Sequence, residues 1–568
     1  MAVLLAAAAL VGPARLAAGE APTQCPGDPI DADAVVTGSF TTDLRGSYVM
    51  VPFDVPEGAT AVRVKYCYDQ TAVESQTDNT LDLGLYSPRT KGDDLWGPAE
   101  FRGWGGSSHP DVTISGRGFS TPAQYLDDPK GDVPGRTTRG FIPGKVPAGE
   151  WAAELGVASV AGADEGDADG VAWRLEIAYD DAAVKDADRY RPAPYSTKPV
   201  RTKPGWYAGD MHVHAEHSNL GAATMDEVFA YAFRPIDEGG AGLDFLTLSD
   251  YVGSIQWDEI GRYQRKYPRD LIIRSAEVIT YRGHTNNQAS ATYVDHRTGP
   301  VYEWHDDGPV TRLRAARPAS EIFDDVHAGG GWTQINHPKI FPSDNPTNAS
   351  LCRGCSWDYS DAETDFSKVD AVEVTTGPAG VGEGATATPI QFALDAIAYW
   401  ERILATGAHV AAVASSDSHT AGEAEGPIDT PVGTPSTVVF AKELSERGVR
   451  DAVQHAHTYV KLFGNAGPDL RLTATTAGGG KPAIIGDTVR APAATFRARV
   501  LGATEGLTPA TGPYRLVVKK DGEEISLTEL DGPDADRRFE STGPGRYNIE
   551  LWQGPLVVGL TSPIWLEA

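Results

Sequence analysis

Between about Gly205 and Asn465, short apolar runs alternate with stretches of helical period, and nothing else in the chain restricts its fold as strongly. DFLTLSD, LIIRSAEVI, WTQINHP, AVEVTT and HVAAVASSD read as strands buried on both faces, the pattern of sheets covered by helices. MDEVFAYAF, SEIFDDVHA, QFALDAIAYWERILATG and SERGVRDAVQHA read as those helices. Thr224 and Ser320 stand where N-caps belong, and Gly407 sits just past a helix end. The expectation over 205–465 is an α/β layered or barrel domain.

On either side the pattern is β alone. YVMVPFDV, AVRVKYCY, LDLGLY and VAWRLEIAY alternate between Gly, Pro and Asp turns, which predicts an N-terminal β-sandwich over 25–182. A charged, Pro-rich linker follows over 183–204. LRLTAT, TFRARVLG, YRLVVKKDG and RYNIELWQG predict a second β-sandwich over 466–568. A chain of 568 residues is long enough for several cores.

Met1 to Gly12 is almost wholly apolar and too short to span a bilayer. It reads as a signal peptide within 1–21, although no Lys or Arg precedes the apolar run. No later segment reads as a membrane span. Abundant Ala, Gly, Asp and Pro, with more Arg than Lys, fit a GC-rich bacterial source, so the expected location is extracellular and bacterial. The four cysteines suit export, with Cys25–Cys67 and Cys352–Cys355 as the simple pairing. CRGC is also half of a zinc ribbon or a redox pair in form; without a second CxxC or a βαβ start, a structural clasp is favoured. A net charge of −29 argues against sequence-independent nucleic-acid binding.

Metal-ligand residues fall at the ends of the predicted strands of the central region. GDMHVH carries Asp210, His212 and His214; on a strand, positions two apart project to one side. SAEVITYRGH carries Glu277 and His284, INHPK carries His337, and SSDSHT carries Asp417 and His419. Any one of these alone is weak among 13 His. Four at strand-to-loop junctions supply the imidazoles and carboxylates of a binuclear centre.

On these motifs the central region resembles the PHP family, the polymerase and histidinol phosphatase metallohydrolases. FRGWGG, the Asp82-containing LDLGLY and IIGDTV outside it are similar to secreted members of a carbaryl-hydrolase-like branch. The resemblance implies a multidomain protein with a central distorted (β/α)7 barrel. It implies that His212, His214 and Asp417 hold one metal, that His284 and His337 hold another, and that Glu277 bridges them. A hydroxide between the metals would be the nucleophile, and Asp210 would orient a ligand.

Two departures bear on metal count. Ser249-Asp250-Tyr251 stands where the family has Thr-Asp-His, and Asn219 where it often has Asp. Those positions, with His419, make the family's third metal site, so two divalent transition metals (Zn, Mn or Fe) are expected and the third site is expected to be lost. His419 would then serve as general acid or hydrogen-bond substrate, and Tyr251 would donate to a developing oxyanion. His217 is expected at the surface and Glu216 exposed. Lys339, Arg282 and Asn219 are candidates for contacting an anionic substrate. The expected substrate is a small phosphoester. A carbamate or carboxylic ester is the alternative, and a non-catalytic surface-binding protein with a degenerate barrel is a further one.

Overall fold

The computed structural model describes residues 21–69, 79–120, 135–163, 170–218, 221, 223–305, 310–344, 352–384, 386–423, 429–504 and 506–568. The expected signal peptide and Asn219 therefore lie outside the described residues, Ala21 excepted. The protein is multidomain and mostly β, with few helices among the described residues. None of those helices is long and apolar enough to cross a membrane.

The N-terminal region is two sheets over one core. Strands Ala34–Phe40, Val171–Asp180, Ala61–Tyr68 and Asp111–Ser115 form the first, in that order. Tyr48–Val55, Gly149–Ser159, Thr80–Tyr86 and Phe101–Gly106 form most of the second. Val62, Val64, Leu83, Trp151, Leu155 and Trp173 fill the space between, the inward half of each alternating pattern. Two strands from the central region, Val301–Glu303 and Thr311–Arg314, extend the second sheet. Cys25 and Cys67 form a disulfide, as do Cys352 and Cys355.

In the central region, Leu271–Arg274, Phe245–Leu248 and Gly205–Val213 run parallel, and Ser436–Ala441 and Thr458–Lys461 continue their sheet antiparallel. A second sheet orders Glu277–Thr280, Gly283–Gln288, Trp332–Ile335, Ala371–Thr376 and Ala411–Ser415. Isolated bridges Tyr251–Glu277 and Val213–Ser418 link the two sheets at the ends where the metal-ligand motifs stand. LIIRSAEVI, read as one strand, is two: Ser275 and Ala276 break it, and Glu277 starts the other sheet.

The helices follow their caps. Thr224 accepts from the Glu227 N–H while Glu227 reaches back to the Thr224 N–H, a reciprocal cap that fixes the start of Met225–Phe233. Ser445 caps Glu446–Gln454. Ser320 does not cap its helix; Pro318 takes that place and Ser320 lies inside Ala319–Ala328. Gly407 follows Gln391–Ala405 with φ of +92°, where a side chain would strain the chain.

The boundary expected at 465/466 is crossed by a sheet of eleven strands. Thr458–Lys461 pairs with Leu556–Thr561, and the order continues through Gly545–Gln553, Tyr514–Lys520 and Glu523–Glu529. An edge strand offers a row of open N–H and C=O groups, and here the C-terminal chain takes them. A four-stranded sheet packs on this extension, with Leu472, Phe496, Val500, Leu516 and Tyr547 between the layers. The linker also packs: the Tyr195 hydroxyl donates to Glu446 at 2.6 Å, and Arg201 pairs with Asp270 at 3.0 Å.

Candidate metal centre

His212 lies at the end of Gly205–Val213 and His214 just beyond it, so both rings leave the strand on one side. Their Nε2 atoms are 3.0 Å apart. Asp417 Oδ1 is 2.9 Å from His214 Nε2 and 3.2 Å from His212 Nε2. Glu277 sits among the rings: Oε1 is 3.1 Å from His284 Nδ1, 3.1 Å from His337 Nε2 and 3.4 Å from His212 Nε2, and Oε2 is 3.6 Å from His214 Nε2. His212, His214 and Asp417 can share one ion, and so can His212, Glu277 and His337.

The donor set suits a cation. Four imidazoles and two carboxylates converge, and no Lys or Arg pairs with Glu277 or Asp417 among the described residues. Burial pushes His212 down, but the carboxylates of Asp417, Glu277 and Glu373 outweigh it and hold the ring well above its ordinary range. Burial pushes Glu277 up, and His212 and His284 more than reverse it, leaving the carboxyl well below its ordinary range. Asp417 is also lowered, against burial, by His212 and His214. Charges buried this way need a counter-charge, and the hard and borderline donors here match Zn, Mn or Fe.

The backbone is bent to place two of these groups. His337 has φ of +25° and Asp417 φ of +55°. Left-handed backbone at a non-glycine residue costs on the order of 1–3 kcal/mol and gathers at functional sites. The structure holds His337 there through its N–H, which donates to Glu373 at 2.7 Å, and its Nδ1, 3.1 Å from the Cys355 carbonyl oxygen.

Glu373 escaped the sequence reading. Its Oε1 is 3.1 Å from His212 Nδ1, and Gln334 and Thr376 also donate to it. The carboxylate turns Nε2 of His212 toward Asp417 and Glu277, as outer carboxylates do for metal-bound imidazoles. The only signal was an acidic residue inside the apolar strand AVEVTT. A register shift beside Glu373 breaks the strand pairing there, the device that re-aims a side chain. Asn336 was also missed; it donates to Glu277 Oε1 at 3.1 Å.

Asp210 touches no imidazole. It accepts from the backbone of His212, Ser416 and Gly433 and from the Ser416 hydroxyl, tying the two motif strands together. Burial pushes it up to about 6. At the mouth stand three half-buried residues, Asp417, His419 and Tyr251. The His419 ring stacks on His214 at 4.2 Å, and its Nε2 is 2.7 Å from the Tyr251 hydroxyl. Lys339 lies over the Tyr399 ring at 4.7 Å. The Arg282 guanidinium is taken by Glu363 at 2.7 and 2.9 Å and points to no group of the centre.

Glu216 and His217 are buried, not exposed. Arg139 of the N-terminal region pairs with Glu216 at 3.3 Å. His217 Nδ1 accepts from the Gly140 N–H at 3.2 Å and Nε2 is 3.2 Å from Glu259. The N-terminal region thus clamps the turn that carries His214.

No family model matches this chain, and no curated protein matches it. Among solved structures it is similar to a two-domain protein from Bacteroides vulgatus containing a predicted PHP-like metal-dependent phosphoesterase. That similarity covers 66% of this chain and 99% of the other, at 16% identity and a TM-score of 0.31. At that level of likeness the functional reading has to rest on the site.

Proposed function

We propose that this chain is a metal-dependent hydrolase of small phosphoesters, with the convergence of His212, His214, His284, His337, Glu277 and Asp417 as the observation that carries the reading. In this reading the two central sheets, linked at Tyr251–Glu277 and Val213–Ser418, form one distorted (β/α)7 barrel. His212, His214 and Asp417 would hold one ion, His284 and His337 a second, and Glu277 would serve both. When bound, such ions supply an activated water and stabilise charge on the substrate oxygens.

The residues do the rest. Glu373, Asn336 and the Cys355 carbonyl fix the faces that His212, Glu277 and His337 present. Tyr251 and His419, at the mouth, are placed to handle the leaving group's proton; the Tyr251 O–H donates to His419 and would have to turn from it to reach a substrate oxygen. Lys339 is the better candidate for an anionic substituent, because the Arg282 guanidinium is occupied by Glu363. With Tyr251 where the family has His, two ions are proposed. The paired cysteines are compatible with an extracellular location.

The test is a chromogenic panel of phosphomonoesters, phosphodiesters, carbamates and aryl esters, run on protein loaded with Zn, Mn or Fe and on metal-stripped protein. Metal-dependent turnover of a phosphoester supports the reading. Turnover confined to carbamates or aryl esters moves the chemistry to carbon on the same centre. Elemental analysis finding no metal after supplemented expression overturns it in favour of a non-catalytic protein.

A further inference from the structure

Beside this centre, one ring nitrogen of His284 and the sulfurs of Cys352 and Cys355 lie within 4.8 Å of one another. His284 turns Nδ1 to Glu277. Its other nitrogen, Nε2, is buried and no described residue hydrogen-bonds it. A buried polar atom left without a partner is costly, and native structures hold few of them. The CRGC turn is held close by its glycine: Gly354 has φ of +79°, and a Cβ there would collide with the Thr280 carbonyl oxygen. The turn is thus fixed against the strand pair that carries Glu277 and His284.

We propose that Cys352, Cys355 and His284 form a further, redox-gated metal site that takes a thiophilic cation such as Zn2+ or Cu+ once the disulfide is opened, with His284 offering Nε2 here and Nδ1 to the centre next door. Two sulfurs three residues apart on a tight turn can reach one ion, the arrangement of zinc knuckles. The sequence offers no second CxxC to complete such a site; the fold brings an imidazole from Gly283–Gln288 instead. Three protein donors leave the fourth position to water, the pattern of an open zinc site. Soft thiolates favour Cu+ and Zn2+ and disfavour the Mn that the harder imidazole and carboxylate set next door also accepts. The site shares His284 with the neighbouring centre but draws on its other nitrogen, so it does not depend on that centre being catalytic.

The gating step balances with an external dithiol as reductant. The Cys352–Cys355 S–S bond breaks, two electrons and two protons pass from the dithiol, and the dithiol leaves as a disulfide. Both new thiols release their protons to water as the ion binds. Cys352 is only partly buried, which gives the dithiol an approach.

The experiment compares metal-stripped protein, oxidised or reduced with a dithiol and desalted without air, during titration with Co2+. Sulfur-to-Co2+ charge-transfer absorption should appear in the reduced protein at about one ion per chain, and be absent from the oxidised one. It should fall markedly in Cys352→Ser and vanish when Cys355 is also changed to Ser, and His284→Ala should weaken the binding at least ~10-fold. Circular dichroism reports whether the reduced protein stays folded. If it does not, protection of Cys352 and Cys355 from alkylation by Zn2+, read by mass spectrometry at brief reduction, decides instead. Absence of the band and of protection overturns the proposal. So does a band of undiminished intensity in Cys352→Ser, which would show that Cys352 is not a ligand, or unchanged affinity in His284→Ala. Phosphoester turnover enters none of these readouts, so this proposal and the hydrolase reading can fail separately.

Discussion

The Tyr251 hydroxyl donates to Nε2 of His419 across 2.7 Å. The direction follows from the other side of the ring: Nδ1 is 2.9 Å from the Asp417 carbonyl oxygen, which can only accept. Nδ1 therefore carries the proton and Nε2 the lone pair. Burial and the neighbouring His214 push His419 down to about 4, in keeping with a neutral ring. The mobile proton at the mouth thus sits on Tyr251, and His419 accepts from it.

Tyr251→Phe should keep the metal content and fold while lowering kcat by roughly 100-fold, the scale of a lost proton-transfer group. His419→Gln should lose about as much, and the double variant little more, because the two act as a unit. Steady-state kinetics with elemental analysis checks this. Additive losses would separate the pair.

Glu277→Gln keeps the shape and removes the one charge that lies among all four imidazoles. Loss of at least one ion and a fall in turnover by orders of magnitude are expected, with the fold retained. Glu57→Gln, at an exposed turn, is the neutral control; Glu216 is unsuitable because it is buried against Arg139. Full metal occupancy and near-normal turnover in Glu277→Gln would refute the assignment.

Glu373→Ala should weaken metal retention by about 10–100-fold without contact to an ion, since it frees the His212 ring and the His337 backbone. Competition with a chromophoric chelator measures this. Retention equal to the parent would mean that Glu373 is structural only.

Asp82 tests the contact between the N-terminal sheet and the centre. It accepts from the Tyr281 hydroxyl at 2.8 Å, and burial still pushes it up to about 6. A raised carboxyl favours the protonated folded form. Its contribution is therefore full below about pH 4 and falls away as pH rises through about 6, by up to roughly 3 kcal/mol. Asp82→Asn stays neutral, so its stability relative to the parent should rise between about pH 4 and 6 and then level off. Denaturant melts of metal-stripped protein across that range measure the difference. A difference independent of pH would show that Asp82 is not shifted.

What the chain determines by itself is local. Period and caps placed Met225–Phe233 and Gln391–Ala405, and the two-residue spacing of His212 and His214 already put their rings on one side, because strand geometry depends only on neighbours. Tertiary structure decided what depends on distant partners. LIIRSAEVI looked continuous because apolar period carries no record of which sheet a residue joins; the break at Ser275 and Ala276 arises from pairing with two different strands. The C-terminal strands looked self-contained because an open sheet edge leaves no mark in composition, yet the edge at Thr458–Lys461 captured Leu556–Thr561. Glu373, Asn336, Glu216 and His217 have ordinary sequence surroundings. Their roles come from groups between 36 and 161 positions away that only the folded chain brings within hydrogen-bond reach.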